Sequence, residues 1–142
     1  MSTQMNKNIL VSEVMLSVEF CPVVSENVIL KEALEQMGKL KLGISCIVDI
    51  EGKLLGILTD GDIRRKLLKS QKPLSALFVD DALIHSIREP IIVHPSDSLF
   101  DSVTLMDKNQ VWDLPVVDIH NKLLGVLHSH RAVAVLLGIK NE

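Results

Sequence analysis

The chain has 142 residues, with 15 Lys and Arg against 18 Asp and Glu, a formal net charge of −3. That balance gives no electrostatic footprint for nucleic acid, and 3% aromatic residues give no stacking platform for single strands. Hydrophobic residues at 47% and charged residues at 23% suit a globular core rather than a disordered chain, and no apolar run nears the roughly 18 residues a membrane helix needs.

Residues 1–8 read as a loose polar leader without a signal-peptide core, so a cytoplasmic protein is expected. Next comes an apolar stretch over 9–16, where Ser12 is placed to cap a short helix holding Val14 and Met15. Pro22, Val23 and Val24 form an extended piece. Leu30, Ala33, Leu34, Met37 and Leu40 recur at helical spacing and predict an amphipathic helix ending near Gly43. Strands are expected over 45–49 and 54–58, joined by a hairpin turn at Glu51-Gly52, and a helix from Thr59 to about Lys69. Over 70–89 the pattern loosens, with Pro73 opening a turn of helix and a second short helix over 82–87.

The first half then returns. Ile92-Val93 is extended, and Leu99, Val103 and Met106 mark a helix. Strands over 114–118 and 123–127 flank a turn at Asn121, and a closing helix covers 132–137. An offset of 69 positions lays Gly56 on Gly125, Leu30 on Leu99, Met37 on Met106 and Val48-Asp49-Ile50 on Val117-Asp118-Ile119, without a gap from Val23 to Leu68. A fixed offset that matches apolar positions and turns together is a duplication. Each copy, in the order strand, helix, strand, strand, helix, is too small to bury both faces of its sheet. The expected fold is therefore α/β, with two β-α-β-β-α repeats packed about a pseudo-twofold axis: leader 1–8, repeat 9–70, connecting segment 71–89 and repeat 90–139. Clefts between such halves are the default ligand sites.

The stretch from Gly56 to Arg65 carries most of the chemistry. An apolar strand breaks at Thr59, and Asp60-Gly61-Asp62 leads into a helix. A hydroxyl beside unpaired N–H groups at a helix start seats a phosphate, helped by the helix dipole, and Asp62 is placed to accept from a ribose diol. Taken by themselves these residues are also what plain helix capping requires.

The tandem resembles a pair of cystathionine-β-synthase (CBS) domains. Each copy has an apolar strand ending in Val-Asp, a hairpin and a Gly-led strand running into a helix, and the first adds Gly56-x-x-Thr59-x-x-Asp62. The wording of 56–65, followed by Leu124-Gly125-Val126-Leu127-His128, is similar to the C-terminal CBS pair of bacterial arabinose 5-phosphate isomerases, enzymes that feed the synthesis of Kdo, a sugar acid of lipopolysaccharide. This resemblance implies a non-catalytic regulatory module with no required cofactor, binding AMP, ATP or the sugar nucleotide CMP-Kdo. It implies Thr59 near phosphate, Asp62 on the ribose, Gly43, Ile44, Ser45 and Cys46 beside the base and Val23 in the wall. The second copy departs from the pattern: His128 stands where Thr59 stands and Arg131 where Asp62 stands, so unequal sites are expected, with Arg131 suited to a phosphate or carboxylate. Asp113, Leu114 and Pro115 complete the second candidate site.

The resemblance further implies homodimerisation of CBS pairs and a sugar isomerase domain as partner. A chain this long has no room for that domain, so it is expected to be an excised regulatory part or a stand-alone homologue. An oligomerisation module with empty clefts is the rival reading.

Other constellations carry less. His128-Ser129-His130 offers two imidazoles where structural zinc wants four ligands, and no metal is expected. Asp60 and Asp62 are explained by the helix dipole. His85, His94 and His120 occupy loop-like positions and are expected on the surface. Trp112 is expected near the mouth of the second cleft, either stacking on a ligand or partly buried. Cys21 and Cys46 lack metal-ligand spacing and read as reduced thiols, at least one of them buried.

Overall fold

The computed structural model describes residues 8–139, so all but the last residue of the leader lies outside the described residues. Two three-stranded sheets organise the chain. In the first, β2 (Val23–Ser25) pairs parallel to β3 (Ile44–Val48), which pairs antiparallel to β4 (Leu54–Thr59). In the second, β5 (Asp113–Val117) pairs antiparallel to β6 (Leu123–His128), and β6 takes β1 (Leu16–Ser17) on its other edge. Helices α1 (Leu30–Leu40) and α2 (Asp60–Lys69) belong to the first repeat, and α4 (Leu99–Asn109) and α5 (Ser129–Leu136) to the second. The short α3 (Leu74–Phe78) lies between them, opened by Pro73 as expected.

The duplication is visible residue by residue. Leu30, Ala33 and Met37 are buried on α1, and Leu99, Ser102 and Met106, each 69 positions on, are buried on α4. Both helices stop at a left-handed residue that is not glycine, Lys41 (φ 57°) and Gln110 (φ 52°), where glycine is usual. The helix end expected near Gly43 therefore falls at Leu40. Strands start one residue earlier than expected, at Ile44 and Asp113, and the last helix starts at Ser129.

Near the N-terminus, a 3₁₀ turn covers Val11–Glu13, so Ser12 lies inside it and does not cap. The Glu13 carboxylate reaches back to accept from the Leu10 N–H (2.7 Å) and does that work instead. Residues 82–85 likewise form a 3₁₀ turn rather than a longer helix, because Ile87 leaves it to exchange both backbone hydrogen bonds with Ile57 (3.0 and 2.8 Å).

Each repeat is completed by the segment that precedes the first sheet strand of the other. Val11 and Val14, at the start of the first repeat and ahead of β2, are buried with Leu99, Met106, Leu114 and Leu127 of the second. Leu77 and Ala82, ahead of the second repeat, are buried with Leu30, Met37, Ile47 and Leu58 of the first. Gly125 permits this on one side: the Leu16 carbonyl passes where a β-carbon would stand.

A third apolar cluster joins the repeats. Ile44, Cys46, Leu54 and Ile57 from one sheet meet Val117, Leu123 and Val126 from the other. The hairpin tips are tied reciprocally, the Leu54 N–H to the Asn121 carbonyl and the Leu123 N–H to the Gly52 carbonyl (both 3.0 Å). The two bonds interchange under the 69-residue offset, the mark of a pseudo-twofold axis. The Asn121 side-chain amide adds a third by donating to the Leu54 carbonyl (2.9 Å). Cys21 and Cys46 are both free and buried, and burial pushes the Cys21 thiol up to about 11 and raises that of Cys46 further.

Candidate functional site

Strand β4 ends at Thr59, whose extended backbone turns the chain into α2. The Asp62 N–H donates to Thr59 Oγ1 (3.2 Å), and Thr59 Oγ1 donates to Asp62 Oδ2 (2.6 Å). The other carboxylate oxygen, Oδ1, accepts from Arg65 Nη2 one turn on (2.6 Å). Hydroxyl, carboxylate and guanidinium are thus locked in one chain at the head of a helix, with the positive end of its dipole behind them. Asp62 Oδ1 and Oδ2 each retain a lone pair for a further donor.

Gly43 approaches the same point from β3. Its carbonyl accepts from the Asp60 N–H (3.1 Å), and a β-carbon there would crowd the Asp60 carboxylate. Ile44 and Cys46, both fully buried, project into the cluster between the repeats, beside Val23. Ser45, also fully buried, stands opposite Leu58 and so shares the strand face that packs on the first repeat's own helices. Its hydroxyl has no hydrogen-bond partner among the described residues.

A pocket of about 510 Å³ opens beside Asp62 and runs along α2, bounded opposite by the connecting segment. Arg65, Lys66 and Lys69 line it from the helix, and Lys72, His85 and Ile87 from the segment. His85, expected on the surface, is largely buried, with its side chain 11% exposed. Lys66 Nζ, which can only donate, sits 3.3 Å from Nδ1, so the Nε2–H is the one that donates to Asp80 Oδ2 (2.9 Å). His85, seconded by Lys72, holds the Asp80 carboxyl below the usual carboxylate range. The sequence alone did not bring His85, Ile87 or Lys72 to this place; the 69-residue offset signals only that the segment near 85–87 borders β4, since Leu16 pairs with Val126 while Ile57, the counterpart of Val126, pairs with Ile87 rather than His85.

The second repeat presents different chemistry at the same location. His128 Nδ1 donates to Asp113 Oδ1 (2.7 Å) across the β5–β6 pair. Asp113 is buried, and its carboxylate raises the His128 pKa against the opposing effect of partial burial. Arg131 is exposed on the first turn of α5, Leu114 lies in the second repeat's core and Pro115 is fully buried. Trp112, 74% exposed, is not partly buried; its carbonyl accepts from the Ser129 N–H (2.8 Å), as Gly43 does from Asp60.

His94, expected on the surface, is half-buried and bonded through Nδ1 to the Val117 carbonyl (2.8 Å). His120 is exposed. The His128 and His130 rings lie 6.4 Å apart, and among the described residues no group of three or more His, Cys, Asp or Glu gathers to hold a metal. No helix of the described residues is long and apolar enough to cross a membrane.

The chain is similar to arabinose 5-phosphate isomerase KdsD of Yersinia pestis, 32% identical over 120 residues that cover 84% of this chain and 35% of that protein. It is as similar to an uncharacterised protein of Helicobacter pylori, 30% identical over 119 residues, 84% of this chain and 34% of that one. The chain spans about a third of the length of these curated relatives.

Among solved structures, it resembles CBSX2 in complex with AMP, with a TM-score of 0.79 and 26% identity over 93% of this chain and 98% of that one. It also resembles the CBS domain pair of protein MJ0100 in complex with 5′-methylthioadenosine and S-adenosyl-L-methionine, with a TM-score of 0.73 and 25% identity over 92% and 96% of the two chains. The CBS domain model matches residues 6–69 and again 79–138. With two matches that fall one on each copy of the internal repeat and a fold shared over nearly its whole length, the chain belongs to the CBS-domain family, as a tandem pair, a class of regulatory rather than catalytic modules.

Proposed function

We propose that this CBS pair is a ligand-sensing regulatory module whose first cleft takes an adenine nucleotide or a sugar nucleotide such as CMP-Kdo. The observation that carries the reading is the chain Thr59–Asp62–Arg65 at the head of α2, which presents a fixed carboxylate and a helix N-terminus together. In this reading Thr59 contacts phosphate and Asp62 the ribose, with Gly43, Ile44, Cys46 and Val23 around the base and Ser45 reaching it through its backbone alone, since its side chain faces the helices. The AMP complex of the similar CBSX2 supports an adenine nucleotide, and the likeness to KdsD supports a role beside an arabinose 5-phosphate isomerase. His128, Asp113 and Arg131 make the second cleft unequal to the first and suited to an anionic group, with Leu114 and Pro115 in its wall.

Binding energy differing by about 1–3 kcal/mol between two states of a tethered partner suffices to change its activity several-fold. Self-association is supported by exposed apolar side chains on one run of the chain, Leu68, Leu74, Val79 and Ile84. These also favour the rival reading, an oligomerisation module that binds no ligand.

Titration calorimetry with AMP, ATP and CMP-Kdo separates the two. Heat from one of these ligands, weakened in Asp62→Ala by about 1–3 kcal/mol, as loss of hydrogen bonds to a charged acceptor requires, is the expected result. No heat and no thermal shift with any of the three leaves the oligomerisation module.

A further inference from the structure

We infer that the pocket between α2 and the connecting segment is a polyphosphate subsite of the first cleft, holding consecutive phosphates of a nucleotide whose ribose lies at Asp62. This inference rests on the nucleotide reading above and adds what kind of nucleotide the site selects. Four cations, Arg65, Lys66, Lys69 and Lys72, line the pocket, against the single carboxylate of Asp62. Asp62, Arg65, Lys66 and Lys69 fall at helical spacing on one face, so a line of positive charge leads away from the head of the helix. From Arg65 to Lys69 it spans just over one turn, about 6 Å at 1.5 Å per residue, room for about two consecutive phosphates.

The nearby acids offset only two of the four cations, Arg65 and Lys72. Asp62 is taken by Arg65, while Asp80 is shared between His85 (2.9 Å) and Lys72 (3.6 Å). Lys66 faces an imidazole nitrogen, and Lys69 makes no ion pair among the described residues. Like charges gathered in one concave site repel one another and raise local anion concentration.

The second repeat supplies an internal control. At the positions of Arg65, Lys66 and Lys69 it carries Ala134 and Val135 on the corresponding helix and Gly138 just past its end. The fold therefore does not require the charges. They occur in the repeat that also has the threonine and the aspartate, where a pocket adjoins the aspartate.

The test is calorimetry on the full chain with AMP, ADP, ATP and inorganic tripolyphosphate at one salt concentration, repeated with Lys69→Glu and with Lys39→Glu, an exposed cation on α1 away from the pocket. ATP is expected to bind about tenfold or more tighter than AMP, the effect of one or more charge-assisted contacts. Lys69→Glu is expected to remove that gain while leaving AMP within about twofold, Lys39→Glu to change neither, and tripolyphosphate to displace ATP. Nucleotide heats indifferent to phosphate number and to Lys69→Glu keep the nucleotide reading and overturn the subsite. An equal loss in Lys39→Glu also overturns it, by showing diffuse charge alone. Heat from tripolyphosphate that Lys69→Glu abolishes, with none from any nucleotide, keeps an anion site here and overturns the nucleotide reading.

Discussion

His128 donates to the buried carboxylate of Asp113 at 2.7 Å, in the place where the first repeat pairs Thr59 with Ile44. One duplicated strand pair thus carries a capping hydroxyl in one copy and a titratable ion pair in the other. The exchange gives the second repeat a titratable pair that the first lacks at this position.

The Asp113 carboxylate raises the His128 pKa above that of the unfolded chain, so the folded state binds the proton more tightly. Stability from this pair is fully present below the ordinary histidine value, about 6.5, and is lost as pH rises through the higher folded value. Melting temperature followed from pH 5 to 9 is expected to fall more across that window in the native chain than in Asp113→Asn. An identical fall in both rules out the pair as the source.

Two glycine substitutions are expected to have opposite signs. Gly38 lies inside α1 with open space where a β-carbon would go, so Gly38→Ala stabilises by about 0.5–1 kcal/mol. At Gly125 the β-carbon meets the Leu16 carbonyl, so Gly125→Ala forces β1 off the edge of β6 and uncovers Val11 and Val14 as well. Urea unfolding is expected to show a loss of about 2 kcal/mol or more, in the range of core disruption.

Thr59→Ala removes the acceptor for the Asp62 N–H and the donor that holds Asp62 Oδ2. A stability loss of about 1 kcal/mol is expected from the cap alone. Thr59→Ser keeps both bonds and is expected to restore most of it. A Thr59→Ala variant as stable as the native chain would show that α2 begins without this cap.

The tandem architecture was legible because apolar positions and turn residues recur together at a fixed offset; Leu30 and Leu99, or Met37 and Met106, bury the same helix face. The cap at Thr59 was legible for the same local reason, a hydroxyl three residues ahead of an acid. The end of α1 was not, since Lys41 takes the left-handed conformation that a reader expects of glycine, as Gln110 does after α4, whereas α2 ends at Lys69 as expected. Strand β1 was missed because two residues show no periodicity, and its partner β6 lies in the other repeat. The histidines misled for a related reason. His85 is satisfied by Asp80 and Lys66, and His94 by the Val117 carbonyl, partners supplied by packing that spacing along the chain does not report.

The most direct test of the first cleft as the ligand site is backbone amide NMR of the full chain during titration with ATP. The expected result is saturable shifts concentrated at 43–46, 59–62 and 85–87, with the equivalent stretch 128–131 affected less. Shifts confined to the exposed apolar run around Leu68, Leu74, Val79 and Ile84, or no saturable shift at all, would contradict it.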